Sequence, residues 1–148
     1  MITLHTAALL RRDRDGESLP DHAVLVSGDR IEAVGPLAEL SSAYANARVR
    51  RWPGTLGPGL LHDGPLPPAP TPRERVHALL RTGVTAVLAE HLADPALRTA
   101  ADKTDLLVLS TAVPPVLLPG GRADLAVHDA GGDCLVTVVA GRIGHRRA

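Results

Sequence analysis

The sequence predicts a mixed α/β domain in which strands from both termini form a small β-sandwich and a short βαβ-type remnant is inserted between them. Three observations carry this reading. Residues 1–52 and 122–144 alternate strand-like runs with tight turns. A proline-dense connector interrupts the chain at Pro65–Pro72. Behind the connector, two capped helical segments alternate with short apolar runs as far as Ser110.

The first element is a strand over Ile2–Leu10, followed by a polar tip from Arg11 to Pro20 that mixes both signs of charge around Gly16. His22–Ser27 is rich in branched aliphatic residues, and Gly28-Asp29 marks a turn into Arg30–Val34, where Ile31 and Ala33 alternate with polar neighbours. Gly35-Pro36 then opens a short helix with Pro36 at its first position and Leu37, Leu40 and Tyr44 along one side. Arg48–Trp52 reads as a third strand running towards Pro58-Gly59.

Five prolines between Pro65 and Pro72 remove amide donors and fix φ, so this stretch is a stiff connector outside any sheet. Thr71-Pro72-Arg73-Glu74 is a capping box, Val76, Leu79 and Leu80 line one helical face, and Gly83 supplies the stop. Val84–Ala89 is a buried-type strand. Asp94-Pro95 starts a second helix with Ala96, Leu97, Ala100 and Ala101 on its packing side, and Asp105–Ser110 is another strand. Strand, helix and strand in this order fit a βαβ crossover. Arg122–Asp129 and Cys134–Val139 then form a hairpin across a Gly131-Gly132 turn, and the tail His145–Arg147 reads as solvated.

Composition bounds the function. At 148 residues the chain can bury a core, but Phe is absent and only Trp52 and Tyr44 are aromatic, so no stacking platform for bases or flavins exists. Sixteen basic and sixteen acidic residues cancel, which argues against nucleic acid or an anionic membrane as partner. The one cysteine, Cys134, excludes an intrachain disulfide and a cysteine-rich zinc cluster. Met1–Leu10 lacks a basic leader segment and no stretch nears the ~20 apolar residues of a membrane span, so the expected location is cytoplasmic.

Ala23–Val26, Gly28–Ile31 and Ala33–Gly35 near one end, Pro58–Leu61 in the middle, and Pro119–Leu125 and Val138–Ile143 near the other resemble the amidohydrolase superfamily. The imidazolonepropionase and aminodeoxyfutalosine deaminase branch is the nearest in character. The resemblance implies a composite β-sandwich formed by residues 1–64 and 117–148, a reduced α/β insertion over 65–116, and together one compact domain. It also implies descent from metal-dependent hydrolases of non-peptide C–N bonds, whose cofactor is zinc or another divalent metal. The 55 residues between Pro65 and Gly121 fall far short of the on the order of 200 that a (β/α)8 barrel requires. The family's two first-strand metal histidines fall here on Gly64 and Leu66, which carry no donor, and the single lysine, Lys103, lacks the family's context.

No catalytic or cofactor-binding residue is therefore assigned, and no cofactor is expected. The isolated chain is expected to be inactive: an accessory or binding module that pairs with itself as a homodimer or with a related full-length enzyme. The alternative is a small metal-dependent hydrolase or deaminase. Its candidate ligands are His62, Asp63, Glu90 and His91, which follow two strands whose C-terminal ends would meet if the strands are neighbours. His77 reads as a surface residue, His128 as a structural histidine and Cys134 as an inert half-buried thiol. Arg122 and Asp124 read as a structural pair fixing a turn or hairpin.

Overall fold

The computed structural model describes residues 2–147. Its elements are β1 (Ile2–Leu10), β2 (His22–Ser27), β3 (Arg30–Pro36), α1 (Leu37–Ala43), β4 (Arg48–Pro58) and β5 (Leu60–His62). There follow α2 (Pro72–Leu80), β6 (Val84–Leu88), a 3-10 turn (Ala89–His91), α3 (Pro95–Lys103) and β7 (Leu107–Leu109). The chain closes with β8 (Leu125–His128), β9 (Cys134–Val139) and β10 (Arg142–Arg146). Among the described residues these strands form a seven-stranded sheet, in the order β10-β9-β8-β4-β1-β2-β3, and a three-stranded parallel sheet, β5-β6-β7.

The strands of both termini thus join through hydrogen bonds into one continuous sheet, where the sequence predicts a sandwich. The sheet is strongly curled. Val24 and Val26 of β2 share one buried cluster with Val136 and Val138 of β9, together with Leu10, Trp52, Leu56 and Leu125. In a flat sheet β2 and β9 would stand roughly 19 Å apart at the usual strand spacing. Curling lets the two ends of one sheet face each other over a common aliphatic core.

The segment before β8 fastens the open side of the curl. Gly120 N–H donates to the Ile31 carbonyl at 2.7 Å, Ala123 N–H to Asp29 at 2.7 Å, and Gly141 N–H to Ala123 at 2.9 Å. The β2–β3 and β9–β10 turns consequently touch: a Cβ on Gly141 would lie 1.9 Å from the Gly28 carbonyl oxygen. Both glycines have positive φ, 60° and 81°. Asp124 completes the closure by accepting from the Ala140 amide at 2.9 Å and pairing with Arg122 at 3.0 Å. Burial raises the Asp124 carboxyl above its ordinary range, outweighing the Ala140 amide and the Arg122 guanidinium, which both lower it.

Several local expectations change. Pro36 is the cap ahead of α1, with ψ of 133°, and helical backbone begins at Leu37. β4 continues past Trp52 to Pro58 because an extra residue bulges out at Pro53-Gly54, opposite the Ala7/Leu9 irregularity of β1. Ala96 is exposed, whereas Leu97 and Ala101 pack inward as expected. The predicted strand Arg122–Asp129 shortens to Leu125–His128, since Arg122 and Asp124 serve the turn. The tail is ordered against the sheet: β10 pairs with β9, Arg147 N–H donates to Leu135 O at 2.8 Å, and the Arg146 guanidinium lies 5.1 Å from the Trp52 ring centre.

The parallel unit docks on the end of the curled sheet. Thr71 accepts the Glu74 amide at 3.2 Å and Asp94 the Ala96 amide at 2.9 Å, so both predicted N-caps form. Val76, Leu79, Leu80, Leu97 and Ala101 pack on Val84, Val87 and Leu106, with Val139 of β9 joining the same cluster. Thr137 Oγ1 donates to Leu80 O at 2.6 Å and His128 Nε2 to Thr82 O at 3.1 Å, tying β8 and β9 to the end of α2. Among the described residues no helix is long and apolar enough to cross a membrane.

Candidate functional site

β5 and β6 are parallel neighbours, with His62 in register with Val87. Their C-terminal ends therefore lie side by side, and the residues after them meet. His91 Nε2 stands 3.5 Å from Asp63 Oδ1 and 3.7 Å from Glu90 Oε1, and the three donor atoms all lie within 4.8 Å of one another. Two donors on one ion at about 2.1 Å sit roughly 3.0–3.5 Å apart, so the cluster is somewhat wider than a small divalent cation requires and would have to close on binding one. One imidazole and two carboxylates favour zinc, manganese or magnesium over a soft ion. The carboxylates are well solvated, at 64% and 69% exposure, so water competes strongly for any ion there.

His62, the fourth candidate, is not in this cluster. Its Nε2 donates to the Pro65 carbonyl at 2.9 Å, which uses the side chain to shape the loop after β5. Arg75 holds the same loop from α2, donating to Pro67 O at 3.0 Å and Leu66 O at 2.8 Å. This clamp was not legible in the sequence, where Arg75 is one of many arginines with no distinguishing spacing.

The loop geometry also bears on the family's metal. Leu66 is 3% exposed and packed into the cluster beneath α2 and α3. A donor at that position would sit in the aliphatic core. Gly64, the other position, offers no donor atom. The residues present do not fit the cation site that the resemblance implies, and no hydrolytic step is derived through it.

The remaining candidates take structural roles. Cys134 is buried, with its thiol against Val136 O at 3.5 Å and Thr137 Oγ1 at 3.3 Å. Burial raises its pKa, and its hydrogen bonds with Thr137 and Val136 only partly oppose this. His128 faces Cys134 in register, but its ring is committed to Thr82, so no thiol–imidazole pair forms.

One buried histidine escaped the sequence reading. His5, 3% exposed in β1, accepts a hydrogen bond at Nδ1 from Trp52 Nε1 at 3.1 Å and stacks on that ring with centres 6.3 Å apart. Burial, reinforced by the Arg50 charge, lowers its pKa to about 4. Its signal in the sequence is weak: it is one of three polar residues, with Thr3 and Thr6, in an otherwise apolar strand.

Comparison with known proteins bears on the fold. Residues 23–47, spanning β2, β3 and α1, match the family described as imidazolonepropionase-like composite domain, bacteria. Among solved structures, aminofutalosine deaminase of Helicobacter pylori shares the fold at a TM-score of 0.56 and 16% identity, over 73% of this chain and 32% of that one. Guanine deaminase of E. coli aligns at 0.55 and 14% identity, covering 73% and 35%. The guanine deaminase of Bradyrhizobium japonicum aligns at 0.56 and 13%, covering 73% and 34%. At these identities the likeness is one of fold. The chain spans about a third of the length of these deaminases. No curated protein sequence matches it. The resemblance to the amidohydrolase composite domain is thus upheld by a segment match and by structural neighbours that are deaminases.

Proposed function

From the premise of an amidohydrolase-type composite fold, we propose that this chain is an accessory or binding module that does not hydrolyse C–N bonds on its own. The curled sheet is read as that family's composite sandwich, built from residues 1–64 and 117–148, with 65–116 a reduced α/β insertion within one compact cytoplasmic unit. The observation that carries the proposal is the three-stranded parallel sheet. Between β5 and β8 the described chain supplies only β6 and β7, so β5 and β7 are both open edges. Among the described residues no closed ring of strands surrounds an ion site, and Gly64 and Leu66 lack donors.

The same shortening favours a partner. On the face of the parallel sheet away from α2 and α3, a cleft of about 320 Å³ is lined by Leu61, Ala86, Leu107 and Leu109. Val113, Val116 and Leu118 beside it are 56%, 46% and 54% exposed. Apolar surface of this kind beside open strand edges is typical of an association face. A second copy of the chain or a related full-length enzyme is the proposed partner. Light scattering on the purified chain, alone and mixed with such an enzyme, tests this. A dimer mass or a stable complex is expected, weakened by Val113→Asp and Leu118→Asp; a monomer indifferent to both substitutions would refute it.

A second reading rests on the convergence of Asp63, Glu90 and His91. In it, the insertion binds a divalent cation and retains some deaminase-type hydrolysis. Calorimetric titration with zinc or manganese distinguishes the readings. Binding abolished by His91→Ala and left intact by His62→Ala would support the metal-dependent alternative, because His62 is turned towards Pro65.

A further inference from the structure

A third surface feature lies away from both the cation cluster and the apolar cleft. A groove of about 420 Å³ runs between α2, the C-terminal end of α3 and β10. Its lining includes Arg73, His77, Lys103 and Arg142, with Asp105 as the one carboxylate among the described lining residues. Asp105 is engaged by Arg142 at 2.9 Å. The chain as a whole is neutral, with sixteen basic and sixteen acidic residues, so this is a local segregation of positive charge.

The segregation begins in the sequence of α2. Arg73, His77 and Arg81 follow at intervals of four, placing one stripe of basic side chains along a single side of the helix. Lys103, the chain's only lysine, faces it from the last turn of α3. His145 of β10 feels the same field. Its pKa is lowered first by burial; a contact with the Cys134 backbone raises it, and the charges of His77 and Arg81 lower it further.

The lining also includes apolar residues. Ile143 is 38% exposed beside the charges, over the buried Leu80 and Val139. Thr104 turns its hydroxyl inward to the carbonyls of Ala100 and Ala101 at 3.1 Å, which blunts the negative end of α3 where Lys103 stands. The result is an amphipathic recess with cations on opposite walls, of a size that ligand pockets commonly have.

We propose that this groove binds a small phosphate monoester, with Arg73, Lys103 and Arg142 on the phosphate and the organic body over Ile143, which is 38% exposed. Guanidinium and ammonium groups suit a dianionic phosphate, and the apolar wall distinguishes a monoester from inorganic phosphate. An uncharged analogue lacks the group that the cations recognise. The site stands apart from Asp63, Glu90 and His91, so it requires neither reading of the cation cluster.

Isothermal titration of the full chain with adenosine 5′-monophosphate, adenosine and inorganic phosphate tests the assignment at low and high salt. The monophosphate is expected to bind at least about tenfold more tightly than either of the others, and to weaken as salt rises. Lys103→Ala and Arg73→Ala are each expected to weaken it by about tenfold or more, while Arg48→Ala on the remote start of β4 leaves it unchanged. Lys103 is exposed at a helix end, so its variant remains informative if the α2 variant melts early. Absence of monophosphate binding, equal affinity for inorganic phosphate, or unchanged affinity in Lys103→Ala would overturn the proposal. Tighter binding of a polyglutamate peptide than of the monophosphate would also overturn it, and would assign the groove to an acidic protein segment.

Discussion

Acid should unfold this protein through His5. The folded protein holds the ring neutral, because Nδ1 accepts the Trp52 indole hydrogen and the side chain is 3% exposed. Burial, then the Arg50 charge, brings its pKa from 6.5 down to about 4. In the unfolded chain the ring regains its ordinary affinity for protons. Between pH 6.5 and 4 the unfolded state therefore binds more protons than the folded state, and stability falls as pH falls through that window. The contribution is fully present above the unfolded value and exhausted below the folded one. With each pKa unit worth 1.36 kcal/mol, the whole effect is about 3 kcal/mol, of which about 2 kcal/mol is lost between pH 7.5 and 5. Urea denaturation of the wild type and His5→Gln at those two pH values measures it. Glutamine can still accept from Trp52 but does not titrate, so the variant should lose about 2 kcal/mol less than the wild type over the same interval. His145 and Asp124 titrate in both proteins and cancel in the comparison. Equal pH dependence in the two proteins would refute the reasoning.

Further outcomes follow from single contacts. A Cβ on Gly59 would lie 2.1 Å from Thr85 Oγ1, so Gly59→Ala should lower thermal stability by about 1–3 kcal/mol, partly recovered by adding Thr85→Ala. The Cys134 thiol, buried and raised in pKa, should react with a thiol reagent slowly in native protein and at once in denaturant; rapid native labelling would contradict its placement. Arg146→Ala removes the cation beside Trp52 and should cost about 0.5–1 kcal/mol while altering the emission of the single tryptophan.

What could be read from the sequence were features written in adjacent residues. Thr71 with Glu74 and Asp94 with Ala96 cap their helices as spaced, and the uninterrupted Val84–Leu88 is buried throughout, as a doubly covered parallel strand should be. The meeting of Asp63 with Glu90 and His91 was conditional on their strands being neighbours, and β5 and β6 are parallel neighbours. Features depending on distant partners were hidden. Arg142–Arg146 shows no apolar alternation, because as an edge strand it is exposed along most of its length, and its pairing is set by β9. The third strand reads from the sequence as Arg48–Trp52, whereas a bulge carries it on to pair with β8. The curl of the sheet is likewise silent locally, since it arises from backbone bonds between residues 119–124 and the two hairpin turns. His62 was misjudged because its nearest acceptor, the Pro65 carbonyl, lies in the connector that the sequence marked only as stiff.

The central question is whether the three-stranded parallel unit can hold a cation and work with it. Metal content of chelator-free protein, measured together with ammonia release from guanine and related aminopurines in added zinc, tests this most directly. Well under one equivalent of metal and release at background are predicted. One tightly held ion per chain, with turnover that disappears in His91→Ala, would contradict the account.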